Sequence, residues 1–205
     1  MVVGLTGRSG CGKSSVSAWL AGQGIPCIDA DGISREILQP GSGCLPLLQN
    51  AFGSDIVDNS GALRRRLLAD RAFATPEGTR TLTEITHPEI LARIRSRVAE
   101  ARAAGAEFCF VDGAVIVGTP FAGECDRLAV VTAPYEQSVE RICRRDGIAP
   151  EMARRRLDAQ TPEQTLVEAA DHIIHNDGTL AALEQQCRAL LDALRKEAHE
   201  TDTTP

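Results

Sequence analysis

An α/β fold, with a parallel five-stranded sheet flanked by helices, is predicted by three observations on this 205-residue chain. Short apolar runs alternate with helical patterns, as they do in strand–helix–strand units. Gly7-Arg8-Ser9-Gly10-Cys11-Gly12-Lys13-Ser14 fills every fixed position of the phosphate-binding pattern GxxxxGK[ST]. That pattern lies between an apolar run and a helical stretch, where a strand has to turn into a helix.

The first strand is read at Val2–Leu5, and Val16, Trp19 and Leu20 give the helix after the loop its apolar positions. Between them the glycines allow a tight loop whose backbone N–H groups point inward at phosphate oxygens, and the helix N-terminus adds its own donors. Gly10, Cys11, Gly12, Lys13, Ser14 and Ser15 are the candidate nucleotide-binding residues. Lys13 is expected at the β- and γ-phosphates, and Ser14 in the shell of a Mg²⁺ ion. The chain has 22 basic residues, yet only Lys13 and Lys196 are lysine. A lysine in the loop is therefore read as selected for its compact ammonium, since arginine serves elsewhere.

Further strands are expected at Pro26–Asp29, Phe108–Asp112, Arg127–Thr132 and His172–His175. The interval from Asp31 to Gly105 holds helical patches instead, at Leu45–Phe52 and Ala62–Phe73. Thr75-Pro76 reads as a helix start, with threonine capping and proline at the first helical position. Ile90, Leu91, Ile94 and Val98 form one face of a long helix. Residues 31–105 are accordingly read as a helical insertion that binds the acceptor substrate at the C-terminal edge of the sheet. Residues 140–160 are arginine-rich, broken by Asp146-Gly147 and Pro150, and lack a large apolar face, which suits a mobile lid. Residues 1–30, 106–139 and 161–205 then make the nucleotide-binding core. It closes on a helix from Gly178 carrying Leu180, Leu183, Cys187, Leu190, Leu191 and Leu194, with a frayed end from His199.

A net charge of −6 argues against nucleic acid as a partner. No apolar run approaches the roughly 20 residues that span a bilayer, and the N-terminus does not resemble a secretory signal, so a cytoplasmic protein without a membrane partner is expected. The seven cysteines are scattered, without a CxxC pair, and read as small hydrophobes. Cys11 stands apart because it lies in the phosphate loop, where oxidation is conceivable. Arg93, Arg95 and Arg97 are read as a solvated helix face.

Three further residues invite a chemical role. Asp29-Ala30-Asp31 follows the second strand, so its carboxylates are expected at the sheet edge facing the phosphate loop. For Asp31 two roles stay open: a base accepting the proton of an attacking alcohol, or the N-cap of a helix starting near Ile33. Asp112, at the tip of an apolar run, is the candidate second anchor of the Mg²⁺ site, acting through water. His87-Pro88 reads as a simple helix start.

Together these residues resemble the dephospho-CoA kinases, which phosphorylate the ribose 3′-hydroxyl of dephospho-coenzyme A. The resemblance runs from Val2 to about Leu183. It rests on Gly4-Leu5-Thr6-Gly7 with Gly10–Ser15, on Ile28-Asp29-Ala30-Asp31 with Pro40-Gly41, and on Phe52-Gly53, Gly61, Arg65, Leu68, Phe73 and His87-Pro88. Arg141, Arg145-Asp146-Gly147, Arg156 and Gln160 are similar to the family's lid, and Ala170-Asp171-His172-Ile173-Ile174 with Asn176 and Gly178 to its closing block. The resemblance implies the architecture of phosphate-loop kinases, with ATP and dephospho-CoA as substrates and Mg²⁺ as cofactor. It implies Asp31 as the catalytic base, supported by Asp29, with Lys13 and Arg141 acting on the transferred group. Arg145 joins Arg141 near the ATP phosphates, Asn176 and Gly178 fall in the adenine region, and Arg65 and His87 in the acceptor region. A monomer or small homo-oligomer fits this reading.

Two departures stand out. The family usually follows its third-strand aspartate with proline, two leucines, phenylalanine and glutamate, where this chain has Gly113-Ala114-Val115-Ile116-Val117-Gly118. Arg8 replaces a common glycine at the loop entrance. Two alternatives accompany the leading reading. One is a related kinase with another alcohol acceptor, and the other is a nucleotide-binding regulatory module with weakened catalysis.

Overall fold

The computed structural model describes residues 1–113, 116, 117 and 119–202. Ala114, Val115 and Gly118, from the segment that departs from the family pattern, lie outside the described residues, as does the extreme C-terminus after residue 202. The strands are β1 (Val2–Thr6), β2 (Cys27–Asp29), β3 (Cys109–Asp112), β4 (Arg127–Thr132) and β5 (His172–His175). They form one five-stranded parallel sheet in the order β2-β3-β1-β4-β5. The helices are α1 (Lys13–Gly22), α2 (Ala30–Glu36), α3 (Cys44–Phe52), α4 (Arg65–Ala72), α5 (Pro76–Ala103), α6 (Tyr135–Asp146), α7 (Pro150–Asp158), α8 (Glu163–Glu168) and α9 (Leu180–Asp202). The chain divides into two compact units, Asp29–Glu100 and the remainder.

The larger unit is built on β1. Its five residues are all buried, as a strand with packing on both faces must be. Val3 and Leu5 point to a core shared with Val16 and Leu20 of α1, Phe110 and Val131 of the flanking strands, and Leu183, Cys187, Leu190, Leu191 and Leu194 of α9. Leu180, expected on that apolar face, is 64% exposed at the first residue of α9. The helix also runs on to Asp202 instead of fraying from His199. The parallel register sets Leu5 beside Asp112 and Thr132 beside His175, so the strand ends share one edge. In open parallel sheets that edge is where ligands bind.

Residues 140–160, read from the sequence as lacking a large apolar face, belong to a helix pair, α6 and α7, that buries apolar side chains. Val139 and Ile142 of α6 bury against Ala153 and Leu157 of α7, with Cys143 and Ile148 packed beside them. The two helices therefore have a small apolar core of their own. It escaped the sequence pattern because it is divided between two short helices.

The Asp29–Glu100 unit is helical, with Ile33, Ile37, Leu45, Leu48, Ile56 and Leu68 among its buried residues. Residues 57–63 form a tight reversal closed by a Val57–Leu63 bridge, so α4 starts at Arg65 and not at Ala62. Asp58 organises this turn, accepting from the Ser60 amide at 2.8 Å and the Ala62 amide at 3.0 Å. These bonds hold its carboxyl below the usual carboxylate range, led by the Ser60 hydroxyl. His87-Pro88 is not a helix start. Pro88 sits inside the 28-residue α5, where its missing N–H removes one backbone bond. Burial of Thr86 before it and of Ile94 and Val98 after it keeps both halves in one helix.

Candidate active site

The phosphate loop follows β1 at the ligand-binding edge. Gly12 is the N-cap of α1 in the left-handed region at φ 97°, and no side chain caps this helix. The first-turn N–H groups are thus left for an anion, helped by the positive end of the helix. A Cβ on Gly12 would collide with the Asn176 amide nitrogen, and one on Gly10 with the Ser138 carbonyl. Glycine is required at both places by close approach as well as by backbone geometry.

Two side chains from distant elements brace the loop. Asn176, just past β5 and only 8% exposed, donates from Nδ2 to the Cys11 carbonyl at 2.8 Å. Arg141 of α6 donates to the Gly10 and Cys11 carbonyls at 3.2 and 3.4 Å, and to the Asn176 carbonyl at 3.2 Å. Gln137, one turn earlier on α6, accepts a further bond from its guanidinium at 3.2 Å. With its carbonyls engaged from behind, the loop presents its N–H groups to the opposite side.

Lys13, Ser17 and Asp112 form a second cluster. Lys13 Nζ lies 3.2 Å from Asp112 Oδ1, and Ser17 Oγ donates to Asp112 Oδ2 at 2.6 Å. Each carboxylate oxygen therefore has its own partner at the tip of β3. Sequence reading did not single out Ser17. The signal was present, because Ser17 stands four residues after Lys13 and so on the same face of α1. Ser14 and Ser15 lie exposed at the start of that helix.

Cys11 is only 1% exposed. Burial pushes its thiol from an ordinary 9.0 up to about 11, outweighing the lowering by Lys13. Cys11 thus packs as the small hydrophobe the sequence suggested, its side chain turned into the core with Val16 and Leu20 of α1, where a raised pKa disfavours the reactive thiolate.

Arg145 of α6 pairs with Asp146 at 2.7 and 2.9 Å, and Arg156 of α7 bonds the same carboxylate. The Arg145 partnership is the main cause holding the Asp146 carboxyl below its usual range. Gly178 sits beside Ala182 at the approach to α9. In the helical unit, Asp29 caps α2 by accepting from the Gly32 amide at 2.7 Å, while Asp31 lies in the first turn. The cap expected as one option for Asp31 belongs to Asp29, since α2 starts three residues earlier than Ile33. Arg65 donates to the Arg35 carbonyl at 3.4 Å, and His87 is half-buried in α5. Arg97 pairs with Glu36 at 2.7 Å and Arg93 with Glu89 at 3.0 Å, so these arginines are surface ion-pair partners and not merely solvated.

Among the described residues no helix is long and apolar enough to cross a membrane, and no group of three or more His, Cys, Asp or Glu residues suits a metal ion. Ser14 and Asp112 are both oxygen donors, the set that Mg²⁺ takes in small number while keeping waters and substrate phosphates.

A strand–glycine loop–helix unit at the ligand edge of this sheet, with its lysine and strand-tip aspartate, defines a protein of the phosphate-loop kinase class. The dephospho-CoA kinase family model matches residues 1–182, and the chain belongs to that family. The dephospho-CoA kinase of Corynebacterium glutamicum is 38% identical over 189 residues, covering 92% of this chain and 97% of its own. Among solved structures, TT1252 from Thermus thermophilus superposes with a TM-score of 0.82 at 28% identity, covering 95% and 97% of the two chains. The dephospho-CoA kinase from Campylobacter jejuni does so with a TM-score of 0.63 at 25% identity, covering 94% and 96%.

Proposed function

We propose that this chain transfers the γ-phosphoryl group of ATP to the ribose 3′-hydroxyl of dephospho-CoA, giving CoA and ADP. Family membership over residues 1–182 supports the reaction class and acceptor. The observation that carries the chemistry is the braced loop with Lys13 and Asp112 at its mouth. Lys13 exchanges its pairing with Asp112 for the β- and γ-phosphates and offsets charge spreading over the transferring group. Ser14 and Asp112, the latter held in orientation by Ser17, are the residues that would hold Mg²⁺. A Mg²⁺ ion held there would supply positive charge against that developing on the transferred group.

Asp31 accepts the proton of the attacking hydroxyl. Its match to the family's base supports this role, as does the cap role falling to Asp29. Arg141 keeps the loop carbonyls turned away from the nucleotide, and Arg145 reaches the phosphates after releasing Asp146. Asn176 and Gly178 border the adenine, while Arg65 and His87 contact the acceptor.

The test is product analysis with ATP and Mg²⁺, with and without dephospho-CoA. CoA formation that requires all three components supports the reading. ATP turnover with a different alcohol, or binding without transfer, overturns it.

A further inference from the structure

The loop residues Arg8 and Ser9 are tied to the end of α7 by three side-chain hydrogen bonds that the reaction outlined above does not use. The Ser9 amide donates to Gln160 Oε1 at 2.8 Å, and Gln160 Nε2 donates back to Ser9 Oγ at 2.6 Å. One carboxamide therefore satisfies both the backbone and the hydroxyl of a single loop residue. Beside it, Arg8 Nη2 donates to the Leu157 carbonyl, which also accepts the Gln160 amide at 3.2 Å. A guanidinium placed on the Leu157 carbonyl, in the last turn of α7, complements the negative end of that helix. The Arg8 charge at the loop entrance thus points at the helix end.

Leu157 is itself 1% exposed in the small core of α6 and α7. A mechanical path runs from that core through Leu157 and Gln160 to Arg8 and Ser9, with Arg141 of α6 gripping the same loop at Gly10 and Cys11. The α6–α7 pair holds the phosphate loop at both its start and its middle.

We propose that Gln160 is a positioning residue for phosphoryl transfer: acting through Ser9, it fixes the start of the phosphate loop relative to α7. The proposal rests on the kinase reading. Ground-state binding draws on Lys13 and several amides and tolerates a small displacement of the loop start. Transfer depends on alignment, where misplacement of about 1 Å can cost as much as 10²-fold. Loss of Gln160 is therefore expected to act on kcat and to spare KM for ATP.

The experiment combines Gln160→Ala, Ser9→Ala and the double variant in the full chain. In the nucleotide-free protein, the Ser9 amide should exchange its hydrogen about tenfold faster in Gln160→Ala, the effect of about one hydrogen bond, while β1 amides keep their rates. With ATP and dephospho-CoA, kcat should fall about tenfold in Gln160→Ala with KM for ATP changed less than about twofold. Ser9→Ala removes only the hydroxyl and should cost less. The double variant should equal Gln160→Ala, because the one bond lost in Ser9→Ala is among the two already lost in Gln160→Ala. Unchanged Ser9 exchange, unchanged kcat, or strictly additive losses overturn the proposal. Should Gln160→Ala not fold, Ser9→Ala must still lower kcat, and a wild-type rate there overturns it equally. A wild-type protein that makes no CoA defeats the kinase reading instead, and the exchange measurement needs no substrate.

Discussion

The phosphate loop and the Asp29–Glu100 unit are stabilised in opposite ways. In the loop, buried or half-buried side chains from elements over a hundred residues away bond backbone carbonyls, as Arg141 does at Gly10 and Asn176 at Cys11. In the helical unit most of the polar contacts among the described residues are local or exposed. Asp29 caps its own helix, Asp58 ties its own turn, and Arg71 bridges to Asp55 at 2.7 Å with both side chains open to solvent. Exposed ion pairs contribute little, typically below about 1 kcal/mol, so that unit relies on its apolar residues. The loop, by contrast, is preorganised by bonds whose loss moves groups that act on phosphate. Substitutions in the loop should therefore change chemistry before stability, and those in the helical unit should do the reverse, unless they touch Asp31.

The largest effect is expected for Lys13→Ala. Its ammonium lies at the mouth of the loop and outside the core, so transfer should fall below detection while the thermal melt stays near that of the wild type. A folded variant turning over at a near-normal rate would remove the loop from the mechanism.

Asp31→Asn is the exception predicted within the helical unit. General-base loss costs on the order of 10²–10⁴ in rate. Stability should barely change, because the cap is Asp29; Asp29→Ala, conversely, should cost about 1 kcal/mol. Steady-state CoA formation beside chemical denaturation separates the two. An Asp31→Asn protein that is destabilised yet proportionately active would show the base to be misassigned.

Arg141 and Arg145 sit four residues apart on α6 and sharpen the comparison on a single helix. Arg141 braces loop carbonyls, so Arg141→Ala should lower kcat by about ten- to a hundredfold and also weaken ATP binding. Arg145 pairs with Asp146 at the surface, so Arg145→Ala should leave ground-state ATP binding unchanged and lower kcat by less than about tenfold. Equal losses of binding in both variants would contradict the division drawn between them.

The smallest effect concerns Cys11. With its thiol pushed up to about 11, the reactive thiolate at pH 8 is scarce. Modification by a disulfide reagent should be roughly a hundredfold slower than for a thiol of ordinary pKa, and should accelerate as pH rises toward that value. Rapid labelling at pH 8 would mean that the loop opens far more readily than its buried bonds suggest.

How much of this was legible beforehand follows from the range of the forces involved. The five strands could be placed within a residue or two because short apolar runs between turn residues carry their own signal. The loop was legible for the same reason: its glycines and lysine are demanded by backbone geometry within eight residues. The second core between α6 and α7 was not, since neither helix shows a wide apolar face by itself. Nor was Pro88 inside α5 expected, because local rules place proline at a helix start and only burial on both sides carries the helix through it.

By itself, the sequence determined the sheet, the phosphate loop and, through ordered motifs, the family. Only the tertiary structure decided which aspartate caps α2, which arginine serves the loop, and that Ser17 and Lys13 share Asp112. It also decided that Arg8 turns to α7 and that Cys11 is sealed. The physical reason is distance along the chain. Strand and loop signals are written within a few residues, whereas Arg141–Gly10 spans 131 residues and Gln160–Ser9 spans 151, so these partners are chosen only when the fold brings them together.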